Sequence, residues 1–361
     1  MSTANVLVQG DAEQAVRSRY AAAAERFEQE LCCPVVYHAD FLRAIPQEVI
    51  DRDYGCGDPT AWVRPGETVL DLGSGGGKVC FIAAQIVGPT GHVIGVDCNQ
   101  QMLDLARRNR PIVAERLGYA NVEFRCGLIQ DLQLDLDRLG KELAGRPVQN
   151  QADWLDLRDL ESRLRREQPL IADESIDCVL SNCVLNLVRP EDREQLIGEV
   201  FRVLKPGGRA AICDIVSDRD VPEHLRQDPQ LWSGCISGAF RDDEFLRAFE
   251  RAGFHGVTIA KRQSSPWRTV EGIEFRSVTV LAYKADCGPS FEENYAVIYR
   301  GPFKSVEDDH GRLYRRGVRT AVGDSAFRVL QREPYTGLFE PVQQRLSVPL
   351  QAAISDGRTC C

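Results

Sequence analysis

The chain has 361 residues, of which 43% are apolar, so it is long enough for two domains or for one large domain with additions. Its net charge of −9 argues against general nucleic-acid binding, and no apolar run of about 18 residues offers a membrane span. Its N-terminus lacks the charged start and apolar core of a signal peptide, so we expect a cytoplasmic location and reduced thiols for its thirteen cysteines.

The first 66 residues are predicted to form a helical segment and a cap that contains cysteines. Asp11–Leu31 is predicted to be a helix, which ends before Pro34 because a proline disfavours helix at the residue before it. A second short helical region is predicted for Tyr37–Ile50. In Asp53-Tyr-Gly-Cys-Gly-Asp-Pro59, two glycines flank Cys56. We expect this turn to point the thiol inward and to be mobile enough to close over a ligand.

The next segment, residues 67–78, has the pattern of a buried strand, a glycine-rich turn and the start of a helix. The strand is Thr68–Leu72, and the helix Lys78–Val87 carries apolar residues at helical spacing. Glycines let a ligand approach the backbone closely, and the N-terminus of the helix directs free N–H groups at the turn. The turn lacks the Gly-Lys-Ser/Thr ending of a phosphate loop, so a triphosphate ligand is not expected.

A second apolar strand, His92–Asp97, ends in a carboxylate and is followed by a predicted helix, Gln100–Arg110. In nucleotide-binding α/β folds, an acid at this position holds the ribose hydroxyls. The order of strand, glycine-rich turn, helix, strand and Asp97 resembles the cofactor half of the class I S-adenosylmethionine-dependent methyltransferases. We therefore expect S-adenosylmethionine to contact the following residues: Tyr54, Asp71, Gly73, Gly75, Asp97, Met102, Leu128, Ile129 and Asn182.

Strands and helices continue to alternate as far as about Tyr283. Further strands are predicted at Asn121–Arg125, Ser175–Leu180, Arg209–Val216, Val257–Arg262 and Arg276–Tyr283, and further helices at Glu191–Leu204 and Asp242–Gly253. Residues 132–168 are predicted to be an inserted helical excursion with a break at 145–147. The alternation predicts an α/β fold with a seven-stranded, largely parallel sheet and helices on both faces. We expect the methyltransferase domain to span residues 67–284, and a small C-terminal appendix with a loose tail to span 285–361.

The cysteines fall into two groups. Cys80, Cys178 and Cys213 lie inside apolar strand or helix patterns and are predicted to be core residues, because free cysteine behaves as a small hydrophobe. Cys56, Cys183 and Cys235 instead lie in segments expected at the ligand-binding edge of the sheet. They do not form the knuckle of a structural zinc site and have no histidine nearby in sequence. Three such thiols suit a soft, three-coordinate centre such as trivalent arsenic.

The segments around these three thiols are similar to those of the arsenite methyltransferases, over residues 31–283. The matching motifs are Asp53-Tyr-Gly-Cys-Gly, Asp71-Leu-Gly-Ser-Gly-Gly-Gly, Ser181-Asn-Cys-Val-Leu-Asn-Leu and Gly234-Cys-Ile-Ser-Gly-Ala. This resemblance implies that Cys56, Cys183 and Cys235 bind As(III), and that either Cys32 or Cys33 takes part in disulfide exchange. It also implies arsenite and methylarsenite as substrates, with a thiol reductant of the glutathione or thioredoxin type.

Two other functions fit the same sequence. The first is a C- or O-methyltransferase that acts on a small organic acceptor such as a quinone precursor, in which the three thiols are incidental. The second is a thiol-based metalloid-binding protein without turnover. Both differ from an arsenite methyltransferase in whether methylated arsenic is formed.

Overall fold

The computed structural model describes residues 4–26, 28, 31, 35–285 and 295–342. Its main sheet contains β1 (Thr68–Leu72), β2 (His92–Asp97), β3 (Val122–Cys126), β4 (Ile176–Asn182), β5 (Leu204–Ser217), β6 (Phe240–Arg241), β7 (His255–Arg262), β8 (Arg268–Val270) and β9 (Ile273–Tyr283). Seven strands run in the order β3-β2-β1-β4-β5-β9-β7. The first five are parallel, whereas β9 is antiparallel to both of its neighbours. The predicted seven-stranded, largely parallel sheet is confirmed, and β6 and β8 are short additions to it.

The sheet is covered by helices on both faces, as predicted. The α-helices of the described residues are α1 (Ala4–Glu25), α2 (Ala39–Leu42), α3 (Gln47–Ile50), α4 (Lys78–Val87), α5 (Gln100–Leu117), α6 (Leu136–Gly145), α7 (Gln151–Glu167), α8 (Arg193–Val203), α9 (Glu223–Arg226), α10 (Pro229–Ser233), α11 (Asp242–Arg251) and α12 (Asp324–Leu330). Apolar residues of α8 and α11 form one core cluster with the sheet, and those of α4 and α5 form another. Within the described part of the chain, no helix is long and apolar enough to cross a membrane.

Several elements end at other residues than the sequence predicts. Helix α1 ends at Glu25, before the predicted end at Leu31, and the region 37–50 divides into two one-turn helices. Helix α5 continues past Pro111 to Leu117, where Gly118 takes the left-handed conformation and caps it. Strand β5 begins at Leu204, the predicted last residue of the preceding helix, rather than at the predicted Arg209. Helices α6 and α7 form the predicted excursion, with its break at residues 146–150.

The C-terminal part has its own small sheet and its own apolar core. Strands β10 (Tyr295–Tyr299), β13 (Arg319–Val322) and β14 (Phe339–Val342) form an antiparallel sheet, and β11 (Ser305–Glu307) pairs with β12 (Leu313–Arg315). An ion pair between Glu333 and Arg64 joins this part to the main sheet, as does the ring of Tyr335 stacked on His255. The domain boundary at residues 284–285 stays a prediction, and the predicted loose tail lies outside the described residues.

Candidate active site

A cavity of about 420 Å³ lies at the carboxyl ends of β1, β2 and β4, with helix α1 as part of its wall. This is the edge at which open α/β sheets bind ligands. All nine residues that we expect to contact the cofactor line it: Tyr54, Asp71, Gly73, Gly75, Asp97, Met102, Leu128, Ile129 and Asn182. Cys183 lines the same cavity. Cys183, one of the three candidate arsenic ligands, therefore borders the candidate cofactor site.

The glycine-rich turn is shaped by close neighbours and by Asp97. Gly73 has a φ of 67°, and a Cβ there would lie 2.5 Å from the side chain of Val184. The Asp97 carboxylate accepts the N–H groups of Gly75 and Asn99, both at 2.8 Å. Burial raises the pKa of Asp97, against the lowering effect of these hydrogen bonds. The carboxylate thus fixes the turn, and its position at the end of β2 is the one expected for a ribose-binding acid.

Asp71 is a buried acid at the end of β1. Its side chain is 2% exposed and accepts a hydrogen bond from the Cys80 thiol at 3.2 Å. Burial raises the pKa of Asp71 to about 7.

The predicted core positions of Cys80, Cys178 and Cys213 are confirmed, since all three are fully buried.

The three candidate arsenic ligands come together from three separate elements. Cys56 lies in the turn before β1, Cys183 directly follows β4, and Cys235 follows α10, and each is at most 6% exposed. All three belong to one buried cluster, in which Cys183 Sγ and Cys235 Sγ lie within 4.8 Å of each other. Burial raises the pKa of Cys56 and Cys183, and the neighbouring thiols raise that of Cys183 further. The three thiols therefore form one buried group next to the cavity.

Two of these cysteines have unusual backbone conformations. Cys183 and Cys235 have φ values of 65° and 60°, in the left-handed region. Only two other non-glycine residues in the described ranges, Glu174 and Glu271, have positive φ. This conformation costs about 1–2 kcal/mol for an L-residue, and such strain is concentrated at functional sites. The strained backbones turn the two thiols toward each other, so that Cys235 Sγ also donates a hydrogen bond to the Cys183 carbonyl at 3.2 Å.

The turn that carries Cys56 is anchored by Asn182. The Asn182 Oδ1 atom accepts the N–H groups of Cys56 and Gly57 at 2.9 and 3.1 Å, and its Nδ2 atom donates to the Gly57 carbonyl at 2.8 Å. A Cβ on Gly55 would lie only 2.0 Å from Asn182 Nδ2, which explains the glycine there. These hydrogen bonds hold the turn at this edge of the sheet, and its expected closure over a ligand stays a prediction. The role of Asn182 as a cofactor contact stays a prediction, because its amide is engaged by this turn.

Helix α1 covers both the cavity and the thiols, which the sequence did not predict. Val16, Arg17 and Tyr20 line the cavity, and the hydroxyl of Tyr20 makes a hydrogen-bonding contact with the Cys235 thiol. The hydroxyl of Tyr54 donates to the Ala23 carbonyl at 2.9 Å. Nothing in the sequence between residues 4 and 25 marks these contacts, since they depend on how α1 lies across the sheet edge. Cys32 and Cys33 lie outside the described residues.

Asp214 is a further group at the thiols that the sequence analysis missed. It is fully buried in β5, and burial raises its pKa to about 7. One of its carboxylate oxygens, Cys183 Sγ and Cys235 Sγ all lie within 4.8 Å of one another. The available signal was an acid within the apolar run of residues 210–216.

Comparisons with known proteins agree with this geometry. Residues 64–139 and 151–253 match a family described as a methyltransferase domain, and residues 286–356 match a domain of unknown function. An arsenite methyltransferase from Aquipseudomonas alcaligenes is 32% identical over 346 residues, which is 89% of each chain. One from Halobacterium salinarum is 39% identical over 63% of this chain and 48% of its own length.

A solved structure extends the similarity to three dimensions. The crystal structure of an arsenic(III) S-adenosylmethionine methyltransferase from Chlamydomonas reinhardtii matches with a TM-score of 0.58. It is 25% identical in sequence, and the match covers 87% of this chain and 97% of that one. The similarity thus includes far more than the cofactor-binding half.

Proposed function

Since this chain belongs to the arsenite methyltransferases, we propose that it transfers methyl groups from S-adenosylmethionine to trivalent arsenic that is held by Cys56, Cys183 and Cys235. The observation that carries the residue assignment is the convergence of these three thiols beside the cavity. A soft centre such as As(III) prefers thiolate ligands, and binding it displaces the protons of the thiols that coordinate it.

The chemistry follows from the arrangement of lone pair and methyl group. S-adenosylmethionine supplies a methyl group on a cationic sulfonium. As(III) bound to three thiolates keeps a lone pair on the side opposite its sulfur ligands. When the thiolates direct this lone pair at the methyl group, an in-line displacement needs no general base, because arsenic has no proton to lose. Such positioning can contribute roughly 7–11 kcal/mol.

The remaining residues are assigned to binding and turnover. In this proposal Asp97 accepts the ribose hydroxyls, while Asp71 and the glycine-rich turn position the rest of the cofactor and Tyr54 closes the cavity. A thiol reductant of the glutathione or thioredoxin type restores the protein thiols through Cys32 or Cys33. Reduced thiols are favoured in the cytoplasm, which is where we expect the protein to act.

The experiment is to incubate the purified protein with S-adenosylmethionine, arsenite and a thiol, and to separate the arsenic species by chromatography. We expect methylated arsenic from the unaltered chain and none from Cys183→Ser. Cys126→Ser is the matched control, since that buried cysteine belongs neither to the cavity wall nor to the thiol cluster. Tight arsenite binding without methylated product would instead indicate a sequestering protein, and methylation of an organic acceptor alone would indicate a small-molecule methyltransferase.

A further inference from the structure

Asp214 places a carboxylate directly beside the candidate arsenic ligands. It lies on β5, next to β4, the strand that Cys183 directly follows, and one of its oxygens lies within 4.8 Å of both Cys183 Sγ and Cys235 Sγ. An arsenic atom bound to both sulfurs would lie close to this oxygen. The carboxylate is therefore within reach of the atom that accepts the methyl group.

Backbone amides hold the carboxylate in this position. Asp214 Oδ1 accepts the N–H of Ile215 at 2.8 Å, and Oδ2 accepts the N–H of Asn186 at 3.3 Å. The side chain of Asn186 also donates to the carbonyl groups of Ile215 and Cys235, at 2.6 and 3.4 Å. The same residue thus holds both Asp214 and the segment that carries Cys235. The arrangement is fixed before any substrate binds.

No cationic side chain of the described residues forms an ion pair with Asp214. The nearest influential cation is Arg193, whose guanidinium instead donates to the carbonyl groups of Gly238 and Val188 and stacks on the ring of Phe240. Buried acids are usually paired with a cation. Asp214 therefore lacks a charge partner in this state, although it lies fully buried next to three thiols.

The methyl transfer generates a positive charge on the arsenic atom beside Asp214. In the methyl transfer, the sulfonium S–C bond breaks and its electron pair stays on sulfur, while the arsenic lone pair forms the As–C bond. The cofactor product becomes neutral at sulfur, and the trithiolate arsenic centre, neutral before the step, becomes a methylarsonium cation. One unit of positive charge thus moves from sulfur to arsenic, with no further co-reactant. A fixed negative group close to arsenic stabilises this charge as it develops.

We propose that Asp214 is a catalytic residue whose carboxylate contacts the thiol-bound arsenic and stabilises the positive charge that arsenic acquires on methylation, an assignment that rests on the function proposed above. Because arsenite itself is held by the thiolates, Asp214 affects the transition state more than the binding of either substrate. This difference separates a catalytic role from a purely structural one.

The test is Asp214→Asn, which removes the charge and keeps the shape of the side chain. We expect single-turnover methyl transfer from protein preloaded with arsenite and S-adenosylmethionine to fall by roughly 100-fold. The dissociation constants of both substrates, measured by calorimetry, should change by less than about threefold. Glu199→Gln, which removes a buried carboxylate that pairs with Arg202 on α8, is the matched control and should keep the unaltered rate.

A binding measurement complements the rates. An S-adenosylmethionine analogue with an ammonium group in place of the methylsulfonium should lose roughly tenfold in affinity for arsenite-loaded Asp214→Asn, relative to neutral S-adenosylhomocysteine. If Asp214→Asn does not fold, Asp214→Ala with added formate replaces it, and formate but not formamide should raise the methylation rate.

A folded Asp214→Asn variant with the unaltered rate overturns this proposal. So does one whose arsenite affinity falls as much as its rate, since Asp214 would then be structural. If the unaltered protein makes no methylated arsenic, it is the proposed function that fails instead.

Discussion

The Oδ1 atom of Asn182 accepts the backbone N–H of Cys56 at 2.9 Å, so the last residue of β4 fixes a thiol that lies 126 residues earlier in the chain. The residue that follows Asn182 is Cys183, whose thiol contacts that of Cys56. Two of the three candidate arsenic ligands are therefore positioned from the same strand end. A mutation of Asn182 therefore tests the position of Cys56 without removing a thiol.

Asn182→Ala should reduce arsenite methylation by at least about tenfold, because it removes several hydrogen bonds worth roughly 1 kcal/mol each from the Cys56 turn. Methylation of monomethylarsenite and the affinity for S-adenosylmethionine should stay close to their unaltered values. Calorimetry and product chromatography measure these quantities. A loss of cofactor affinity together with both activities would show that the amide serves the cofactor, as the sequence led us to expect.

Cys56→Ser should abolish methylation of arsenite and leave that of monomethylarsenite largely intact. Inorganic As(III) takes three thiolates, and each methylation replaces one As–S bond with an As–C bond, so the methylated substrate needs only two. Cys183→Ser should abolish both reactions, because Cys56 and Cys235 alone would not keep the arsenic lone pair aligned with the methyl group of S-adenosylmethionine. Each purified variant is given both substrates. Equal loss of both activities in Cys56→Ser, or either activity in Cys183→Ser, would contradict these roles.

Asp97→Ala should weaken S-adenosylmethionine binding, since a charge-assisted hydrogen bond to a ribose hydroxyl is worth roughly 1.5–3 kcal/mol. The substitution also releases the N–H of Gly75, which adds to the loss. Calorimetry on the folded variant measures the change. Asp104→Ala, which removes an exposed carboxylate from α5, is the control and should bind normally. An unchanged affinity in Asp97→Ala would remove this acid from the cofactor site.

The pH dependence of stability should reflect Asp71. Burial raises its pKa to about 7, whereas an unfolded chain has an aspartate pKa of about 4. Between these values the folded chain binds the extra proton, so the contribution of Asp71 is fully present below about pH 4 and is lost as the pH rises through about 7.

Asp71→Asn should therefore lose less thermal stability than the unaltered chain between about pH 5 and pH 8. Asp214, whose pKa is also raised to about 7, is retained in both proteins and cancels in the comparison. Asp104→Asn, at an exposed position, should behave as the unaltered chain does. Thermal unfolding curves recorded at several pH values in this range test the prediction. An identical dependence of stability on pH in Asp71→Asn and the unaltered chain would refute a raised pKa at Asp71.

The sequence predicted the fold and much of the site because both depend on short, ordered patterns. Alternating apolar strands and helices determine the sheet, and the strand ends at Asp71, Asp97 and Cys183 bring those residues to one edge. These features need only local patterns and the rule that parallel strands end together. The expected cofactor contacts came instead from the resemblance to the class I methyltransferases, and their contact with the cofactor stays a prediction.

Other features depend on contacts between distant residues, which no local pattern records. The contacts of Tyr20 with Cys235 and of Asn182 with Cys56 arise only when α1 and the Cys56 turn reach the sheet edge. Asp214 was missed because apolar neighbours on β5 made its segment indistinguishable from an ordinary buried strand. Similarly, the close contact of the Cys56 turn with Asn182 requires a glycine at Gly55, and the sequence of the turn alone does not reveal this contact.

The most direct test of the proposed function asks whether Cys56, Cys183 and Cys235 together hold As(III). X-ray absorption at the arsenic edge, on protein loaded with one equivalent of arsenite, counts the sulfur atoms bound to arsenic. We predict three sulfur atoms and no oxygen atom at covalent bonding distance from arsenic in the unaltered chain, and two sulfur atoms at that distance in Cys56→Ser; the proposed Asp214 contact is longer than a covalent As–O bond. An oxygen atom at covalent bonding distance in the unaltered chain, or a spectrum that is the same in Cys56→Ser and Cys183→Ser as in the unaltered protein, would contradict the account.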